Sequence, residues 1–367
     1  MKSLFDNTEI KGMRLKNRFI RSATWLRRAH RDGHISDDVL RSYEELSKGG
    51  AGLIMTGYAF VSQGEQPNPR MLGAYDDSFI KDFEKLADIA HRHGSLIALQ
   101  IAYGGSQCTH PDAKSMDIIG ASAVYNAYTD VTPREATKKD IQTLVEDFGQ
   151  AAVRAQKAGM DGVQVHAAHG YLLSQWLTPY FNRRIDEYGG SIHNRARIIY
   201  EICEEIRARV GNDFPLMIKM NCSDLVMGSQ YLTMEEAMKV FVRLDEMEVD
   251  LIEVSGGNTS LIGSFERSAR KDIADREKQS YFRAAAAQAA SRVKHAKVAL
   301  VGGNRKPKLM TEILNETEIE YFSLSRPFLC EPDIVNKWKS DAEYEMKCRA
   351  CNQCWGKERN ECIFTRK

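Results

Sequence analysis

Short apolar runs alternate with longer amphipathic segments along most of this 367-residue chain. The short runs have the length and side-chain types of buried strands, and the longer segments have the apolar spacing of helices with one buried face. The predicted strands are Arg18–Thr24, Ala51–Tyr58, Ser95–Tyr103, Asp161–His166, Pro215–Asn221, Val249–Ser255, Lys297–Val301 and Ile319–Ser325. The predicted helices are Asp37–Lys48, Phe79–His93, Lys139–Lys157, Asn194–Val210, Met234–Glu246, Lys278–Lys294, Pro307–Leu314 and Asp333–Lys339.

Eight predicted strands, each followed by a helix, favour the α/β class and a parallel sheet closed into a (β/α)8 TIM barrel. We expect the barrel to occupy residues 1–340, and residues 341–367 to form a short Cys-rich C-terminal extension. An open doubly wound sheet is the alternative. It would be unusually large, and no Gly-x-Gly-x-x-Gly motif follows the first predicted strand.

The fourth predicted strand ends in a dense group of polar side chains, His166, His169 and Tyr171. Barrels of this kind carry their chemistry at the carboxyl ends of the strands. Two imidazoles and a phenol close together suit hydrogen-bond donation to a substrate oxygen and delivery of a proton nearby. The alternatives are structural histidines beside a core tyrosine, or half of a metal site for which no third ligand stands nearby in the sequence.

The segment that begins at this strand end reads HAAHGYLLSQWLTPYFNRRIDEYGGSIHNRAR. It resembles the signature of the old yellow enzyme family, the FMN-dependent ene-reductases, in the branch that includes bacterial 2,4-dienoyl-CoA reductases. The resemblance implies a bound FMN and NAD(P)H as the electron donor. The matching positions are Asn182, Arg184, Asp186, Tyr188, Gly189, Gly190, Ser191, Asn194 and Arg195.

The same resemblance assigns flavin contacts to the ends of several strands. Gln100 and Lys219 are polar residues in apolar runs, so each needs a buried partner, and a flavin ring offers one. A lysine that reaches the surface is the alternative for Lys219. The family has a histidine and a Gly-Arg pair where this chain has Tyr103, Gly105 and Ser106, which leaves the substrate class open. The implied ring contacts are Ser22, Ala23, Thr24, Gly57, Gln100, His166 and Lys219.

Two strand ends near the C-terminus predict a phosphate site. Gly302 and Gly303 follow the seventh predicted strand, and Ser325 and Arg326 close the eighth. Phosphate sites after these two strands recur in this barrel fold. The resembled family usually has Gly-Arg here, so Ser325 replaces a glycine while Arg326 keeps the positive charge.

The residues and the resemblance together predict an ene-reductase with two half-reactions. NAD(P)H reduces the flavin, and hydride then passes to the β-carbon of an enone or enoate. His166 and His169 polarise the carbonyl, and Tyr171 protonates the α-carbon. The alternatives are a flavin dehydrogenase or demethylase that passes electrons to a partner protein, and a metal-dependent barrel hydrolase that uses the two histidines.

Four of the eight cysteines cluster near the C-terminus, at Cys348, Cys351, Cys354 and Cys362. In a cytosolic chain such clustering indicates a metal more often than a disulfide, and thiolates suit a 4Fe-4S cluster or tetrahedral zinc. Long members of the resembled branch carry a similar Cys-x-x-Cys-Asn motif around a four-iron cluster, and continue into a pyridine-nucleotide domain. Free thiols are the alternative.

Charge and hydropathy limit the expected partners. The 51 basic and 50 acidic residues leave a net charge of +1, which gives no support for binding nucleic acid;. The N-terminus lacks an apolar signal segment, and no apolar run approaches the length of a membrane span. We therefore expect a cytoplasmic enzyme that acts on a small-molecule substrate and binds neither nucleic acid nor membranes. We also expect a homo-oligomer.

Overall fold

Eight parallel strands close into a barrel in this computed structural model, which describes residues 1–261, 268–356 and 358–365. Each strand pairs with the next along the chain, and the last pairs with the first, where Leu324 lies opposite Arg21. The prediction of a (β/α)8 TIM barrel is confirmed. The barrel strands are β1 (Phe19–Arg21), β2 (Leu53–Met55), β3 (Leu96–Ala102), β4 (Gly162–Ala167), β5 (Leu216–Asn221), β6 (Leu251–Ser255), β7 (Lys297–Val301) and β8 (Tyr321–Leu324).

A main helix follows each barrel strand. Local sequence sets several of their starts: Ser36, Thr137 and Thr233 each accept a backbone N–H in the first turn of the helix that follows;. The main helices are α1 (Asp37–Lys48), α2 (Ile80–Arg92), α3 (Lys138–Lys157), α4 (Arg197–Val210), α5 (Met234–Glu246), α6 (Arg283–Ala290), α7 (Pro307–Glu316) and α8 (Ile334–Ser340).

Two helices differ from their predictions. The predicted helix Asn194–Val210 is divided into a short helix, Ile192–Arg195, and α4. The predicted helix Lys278–Lys294 shortens to α6, because Ser280 has a positive φ of 48° and its N–H, like that of Tyr281, donates to a glycine carbonyl after β7. The sequence pattern did not show this connection between distant segments.

The barrel interior is packed with apolar side chains at its amino-terminal end. A hairpin of Thr8–Ile10 and Met13–Leu15 covers this end, and its Ile10 and Leu15 are each only 1% exposed. The packed interior residues are Ile20, Leu53, Met55, Ala98, Met217, Leu251, Ala299 and Tyr321. The hairpin was not predicted. Because it closes this end, the carboxyl ends of the strands are left to build a site.

Shorter strands and helices lie in the connections between the barrel strands and the main helices. Strands Ala59–Phe60 and Leu72–Gly73 follow β2, and strands Ile119–Gly120 and Arg134–Glu135 pair after β3. The remaining short helices are Asp77–Phe79, Ala113–Ser115, Leu172–Leu177, Arg276–Lys278 and Arg326–Cys330. No helix in the described part of the chain is both long and apolar enough to cross a membrane.

The C-terminal extension lies against the segment that follows β1. The Asn360 backbone N–H donates to the Leu26 carbonyl at 3.0 Å, and its side-chain amide donates to the Trp25 carbonyl at 2.9 Å. Arg28 forms an ion pair with Glu361 at 3.3 Å. The extension therefore contacts the same end of the barrel as the predicted site.

Candidate active site

The carboxyl end of β4 brings His166, His169 and Tyr171 into contact. The His166 ring centroid lies 5.4 Å from that of His169 and 5.0 Å from that of Tyr171. His169 has a φ of 64°, a left-handed conformation that turns the backbone sharply out of the strand;. Its N–H donates to Asn221 Oδ1 at 3.2 Å, and its Nε2 lies 2.7 Å from Ser255 Oγ. The turn after β4 is therefore fixed by residues of β5 and β6.

His166 carries a buried ring nitrogen without a protein partner. The side chain is nearly buried, at 3% exposure, and its Nδ1 has no hydrogen-bond partner among the described residues. A buried polar atom left unpaired costs free energy, so such an atom in a polar cleft indicates a position where a ligand binds. The end of β4 is thus a candidate binding position.

Both imidazoles are neutral at physiological pH. Burial, assisted by the positive charge of Lys219, lowers the pKa of His166 to about 3. Burial also holds the pKa of His169 well below its usual value, with further lowering by Lys219 and His166. A neutral imidazole keeps one N–H, so each ring can still donate one hydrogen bond.

The low pKa of His166 predicts a loss of stability in acid. The unfolded chain binds a proton at this histidine below about pH 6.5, whereas the folded chain binds it only near the lowered pKa of about 3. The unfolded state therefore holds more protons in that window, and the free energy of unfolding should fall by about 1.4 kcal/mol per pH unit as the pH drops through it. Urea unfolding near pH 7 and near pH 5 measures this slope. In His166→Gln the free energy of unfolding should depend less on pH by that amount. Equal pH slopes in the variant and the wild type would contradict a buried neutral His166.

A second tyrosine and an asparagine hold the Tyr171 hydroxyl. The Tyr171 hydroxyl donates to the Tyr58 hydroxyl at 2.9 Å, and Asn68 Nδ2 donates to Tyr171 at 2.9 Å and to Tyr58 at 3.3 Å. The Tyr58 ring lies nearly parallel to that of His166, with centroids 5.9 Å apart. Neither Tyr58 nor Asn68 was predicted from the sequence to belong to the site. Tyr58 closes the second predicted strand as His166 closes the fourth, and that position was the available signal.

A polar network crosses the barrel interior at the level of these strand ends. Gln100 Nε2 donates to Gln164 Oε1 at 2.6 Å, and Gln164 Nε2 donates to Glu253 Oε2 at 3.0 Å. Glu253 is fully buried, accepts from Ser22 Oγ at 2.6 Å and lies 3.2 Å from Lys219 Nζ. Strand register creates two of these pairs, because Gln100 lies opposite Gln164 and Lys219 lies opposite Glu253.

This network gives two of the predicted flavin contacts partners inside the protein. Glu253 forms an ion pair with Lys219, and Gln164 accepts a hydrogen bond from Gln100. Lys219 is only 4% exposed, so the alternative of a lysine that reaches the surface is wrong. Gln164 and Glu253 were missed, although each is a polar residue inside an apolar strand, the same signal that identified Lys219.

The end of β1 is tied to the end of β8. The Thr24 hydroxyl donates to the Ser22 carbonyl at 3.0 Å and lies 2.7 Å from the Ser325 hydroxyl. The Arg21 guanidinium donates to the same carbonyl and to Thr24. Ala23 is half-buried between them. Ser22, Ala23, Thr24 and Ser325 therefore lie together, although each hydroxyl already has a protein partner.

Gly57 packs tightly against the segment that follows β1. A Cβ atom at this position would stand 3.1 Å from the Thr24 carbonyl oxygen, and the Gly57 N–H donates to the Tyr43 hydroxyl at 2.7 Å. Close packing of the two strand ends thus disfavours a larger residue at this position.

Gly302 and Gly303 turn the chain sharply after β7, with φ angles of 108° and 78°. Their carbonyls accept the N–H groups of Tyr281 and Ser280 at 3.0 and 3.1 Å. A Cβ on Gly302 would stand 2.6 Å from the Tyr281 ring, and one on Gly303 would stand 2.8 Å from it. Both backbone conformation and aromatic packing therefore require glycine here.

Arg326 connects the end of β8 to the C-terminal extension. Its Nη1 donates to the Arg270 carbonyl at 2.8 Å and to the Ala350 carbonyl at 3.5 Å, and it also contacts the Asn352 side chain. Asn352 in turn donates to the Ala269 carbonyl at 2.7 Å. Arg326 was predicted to lie beside a phosphate, and its contact with the extension was not predicted.

The residues at this end of the barrel fit a bound FMN. The unpartnered Nδ1 of His166 offers a buried site for a ligand atom. The interior network provides polar side chains suited to the oxygen and nitrogen atoms of a flavin ring, and Arg326 provides a cation suited to a phosphate. Three of the predicted cofactor residues lie in β3, β4 and β5, and the others follow β1, β2, β7 and β8.

The cysteines of the extension do not fit a metal ion in the described part of the chain. Cys348, Cys354 and Cys362 are buried and Cys351 is half-buried, all as free thiols. Burial raises the pKa of Cys354 to about 11, and the other three thiols raise it further, so the four lie near one another. No three Cys, His, Asp or Glu side chains among the described residues are placed to hold an ion. The structure therefore does not support the expected 4Fe-4S cluster or zinc.

Comparisons with known proteins place this arrangement among flavin enzymes. A model of the NADH:flavin oxidoreductase / NADH oxidase family matches residues 3–345. An NADH oxidase from Thermoanaerobacter brockii is 29% identical over 352 residues, which are 95% of this chain and 53% of that protein. A cinnamate reductase from Clostridium sporogenes is 28% identical over 374 residues, 98% of this chain and 56% of that protein. The chain thus spans about half the length of these relatives.

A solved structure shows the same fold. The complex of 2-naphthoyl-CoA reductase with 2-naphthoyl-CoA aligns with a TM-score of 0.86 at 23% sequence identity. The alignment covers 96% of this chain and 54% of that protein. The barrel described above, with its extension, is therefore shared with a longer protein.

Proposed function

Because this chain belongs to the NADH:flavin oxidoreductase / NADH oxidase family, the old yellow enzyme family, we propose that it is an FMN-dependent ene-reductase. In this proposal NAD(P)H is the electron donor, and the acceptor is the carbon–carbon double bond of an α,β-unsaturated carbonyl compound. The observation that carries the proposal is the buried, unpartnered Nδ1 of His166 beside the Tyr171–Tyr58 pair. Similarity to a cinnamate reductase supports this class of acceptor, because cinnamate is a conjugated enoate.

The cofactor would be held by two groups of residues. When bound, FMN supplies the hydride chemistry that links NAD(P)H to the alkene. The residues proposed to contact its ring are Ser22, Ala23, Thr24, Gly57, Gln100, His166 and Lys219. The residues proposed to contact its phosphate are Gly302, Gly303, Ser325 and Arg326.

His166 and His169 bind and polarise the substrate carbonyl in this proposal. Both rings are neutral, so each donates a single N–H to the carbonyl oxygen, whose negative charge grows as the double bond is reduced;. The bonds that hold His169 to Ser255 and Asn221 keep its ring in position. Preorganised donors stabilise the developing charge without rearrangement during the reaction.

Tyr171 holds the proton for the α-carbon. Burial raises its pKa to about 12, so the phenol is protonated at physiological pH and available as a general acid;. The α-carbon of an enone is bonded to the carbonyl carbon. A carbonyl oxygen bound at His166 would therefore bring the α-carbon near Tyr171, whose ring centroid is 5.0 Å from that of His166.

Two half-reactions of the purified enzyme test this function. Under anaerobic conditions NADH or NADPH should bleach the flavin absorbance, and cyclohexenone should restore it with cyclohexanone as the product. Cyclohexene is a matched control, because it has the double bond without a carbonyl for the histidines to polarise. Reoxidation by oxygen or a dye but not by cyclohexenone or cinnamate would overturn the proposal.

A further inference from the structure

Two tyrosines from different strand ends share one hydrogen-bonded site. Tyr58 follows β2 and Tyr171 follows β4, 113 residues apart, and their hydroxyl oxygens are 2.9 Å from each other. Their rings contact at a centroid distance of 5.2 Å. The pair is therefore a specific contact between two loops at the mouth of the barrel.

Asn68 is oriented to donate to both phenols. Thr109 Oγ1 donates to Asn68 Oδ1 at 2.6 Å, which directs the amide nitrogen toward Tyr171 and Tyr58. The Tyr171 hydroxyl is thus both a donor, to Tyr58, and an acceptor, from Asn68. An amide fixed in this way is suited to stabilise negative charge on a phenol oxygen.

The two phenols differ in their hold on a proton. Burial raises the pKa of Tyr171 to about 12, while its hydrogen bonds with Tyr58 and Asn68 act in the opposite direction and lower it. Burial holds the pKa of Tyr58 well above its usual value, and the neighbouring Tyr171 raises it further. Tyr58 is therefore protonated at physiological pH and can donate to the Tyr171 oxygen.

We propose that Tyr58 is a positioning residue that completes a two-phenol proton donor, stabilising the Tyr171 phenolate formed when the substrate is protonated. This inference rests on the proposed function, in which Tyr171 is the acid. The Tyr171 O–H bond breaks, a C–H bond forms at the α-carbon, and the negative charge passes from the substrate to the Tyr171 oxygen. The Tyr58 hydroxyl then reverses and donates to that oxygen, joined by Asn68.

The same pair provides a path for the returning proton. Tyr58 is half-buried, whereas Tyr171 is 9% exposed, so Tyr58 is the phenol nearer to water. Its proton moves to the Tyr171 oxygen, and a water molecule then gives a proton to Tyr58 and leaves as hydroxide, which the buffer neutralises. Each transfer breaks one O–H bond and forms another, and no oxidant or reductant takes part.

Tyr58→Phe isolates the hydroxyl, because the phenyl ring keeps its stack on His166. Flavin reduction by NAD(P)H should be unchanged, and reoxidation by cyclohexenone should slow by about 10-fold to 100-fold, the effect expected for one hydrogen bond to a charged oxygen. Asn68→Ala should slow the same step. Tyr200→Phe removes a buried phenol hydroxyl from α4, far from the pair in the chain, and should leave both half-reactions unchanged.

A proton inventory distinguishes this role from packing. In mixtures of H2O and D2O the wild-type reoxidation rate should curve with deuterium content, because two O–H hydrogens change their bonding together. Tyr58→Phe should give a straight line, since one hydrogen remains. A straight line in the wild type, or a Tyr58→Phe rate equal to the wild-type rate, would overturn the inference.

Failure of the proposed function has a separate signature. If Tyr171→Phe is reoxidised by cyclohexenone as fast as the wild type, Tyr171 is not the acid, whatever Tyr58→Phe does. If reoxidation by cyclohexenone is slow in Tyr171→Phe but not in Tyr58→Phe, Tyr171 is still supported as the acid and only the two-phenol inference is wrong. In a double variant, the second substitution should add little to the effect of Tyr171→Phe, because the phenolate that Tyr58 serves no longer forms.

Discussion

Tyr171→Phe should slow reoxidation of the reduced enzyme by cyclohexenone by about 10²- to 10⁴-fold and leave reduction by NAD(P)H unchanged. The phenol is needed only when the α-carbon accepts its proton, and it has no part in delivery of electrons from the nicotinamide. The phenyl ring fills the same space against Tyr58 and His166, so the substitution removes chemistry with little change in packing. Anaerobic stopped-flow absorbance measures the two half-reactions separately.

Substitution of the histidines should give a different pattern. His166→Ala and His169→Ala remove donors to the carbonyl oxygen, so they should weaken binding of phenolate inhibitors, whose oxygen resembles the developing oxyanion. Tyr171→Phe should bind the same inhibitors with nearly unchanged affinity. Equal losses of inhibitor binding in all three variants would contradict the division of roles between the imidazoles and the phenol.

Glu253→Gln should lower the free energy of unfolding by about 3–5 kcal/mol, because it leaves the buried Lys219 without a compensating charge. The substitution keeps the size of the side chain and an oxygen that can accept from Ser22 at 2.6 Å. What it removes is the negative charge 3.2 Å from Lys219 Nζ. Urea unfolding of the flavin-free chains at neutral pH measures the difference without a contribution from cofactor binding.

Two variants control for that interpretation. Lys219→Met combined with Glu253→Gln removes both charges, so the double variant should be more stable than Glu253→Gln alone. Glu235→Gln breaks an exposed pair with Lys239 at 2.9 Å and should change the free energy of unfolding far less, because water screens the pair;. A double variant no more stable than Glu253→Gln would show that hydrogen bonding, and not charge balance, is the main role of Glu253.

Predictions made from local sequence patterns agree with the structure. The spacing of apolar residues located the eight strands and helices, because periodicity reports which side of an element is buried. Strand-end positions located His166, His169 and Tyr171, because carboxyl ends of parallel strands meet at one end of a barrel. The positive φ of Gly302 and Gly303 agrees with their Gly-Gly sequence. All of these are local features.

Expectations about partners were less complete. Lys219 was recognised as a buried charge in need of compensation, but Glu253 was not, because their contact depends on the register between β5 and β6. Tyr58 and Tyr171 are in contact although 113 residues separate them. Arg326 contacts Asn352, which lies in a segment with neither helix nor strand. The pattern of residues along one chain carries no information about such contacts.

The sequence by itself determined the barrel, the end of it where His166, His169 and Tyr171 meet, and the residue types found there, since these depend on periodicity and on strand order. The tertiary structure alone decided that Glu253 neutralises Lys219, that Tyr58 and Asn68 hold Tyr171, and that Arg326 contacts the extension. The physical reason is that buried charges and hydroxyls are stabilised by whichever group closure of the barrel brings within about 3 Å of them. That distance is set by strand register and loop packing, and not by separation along the chain.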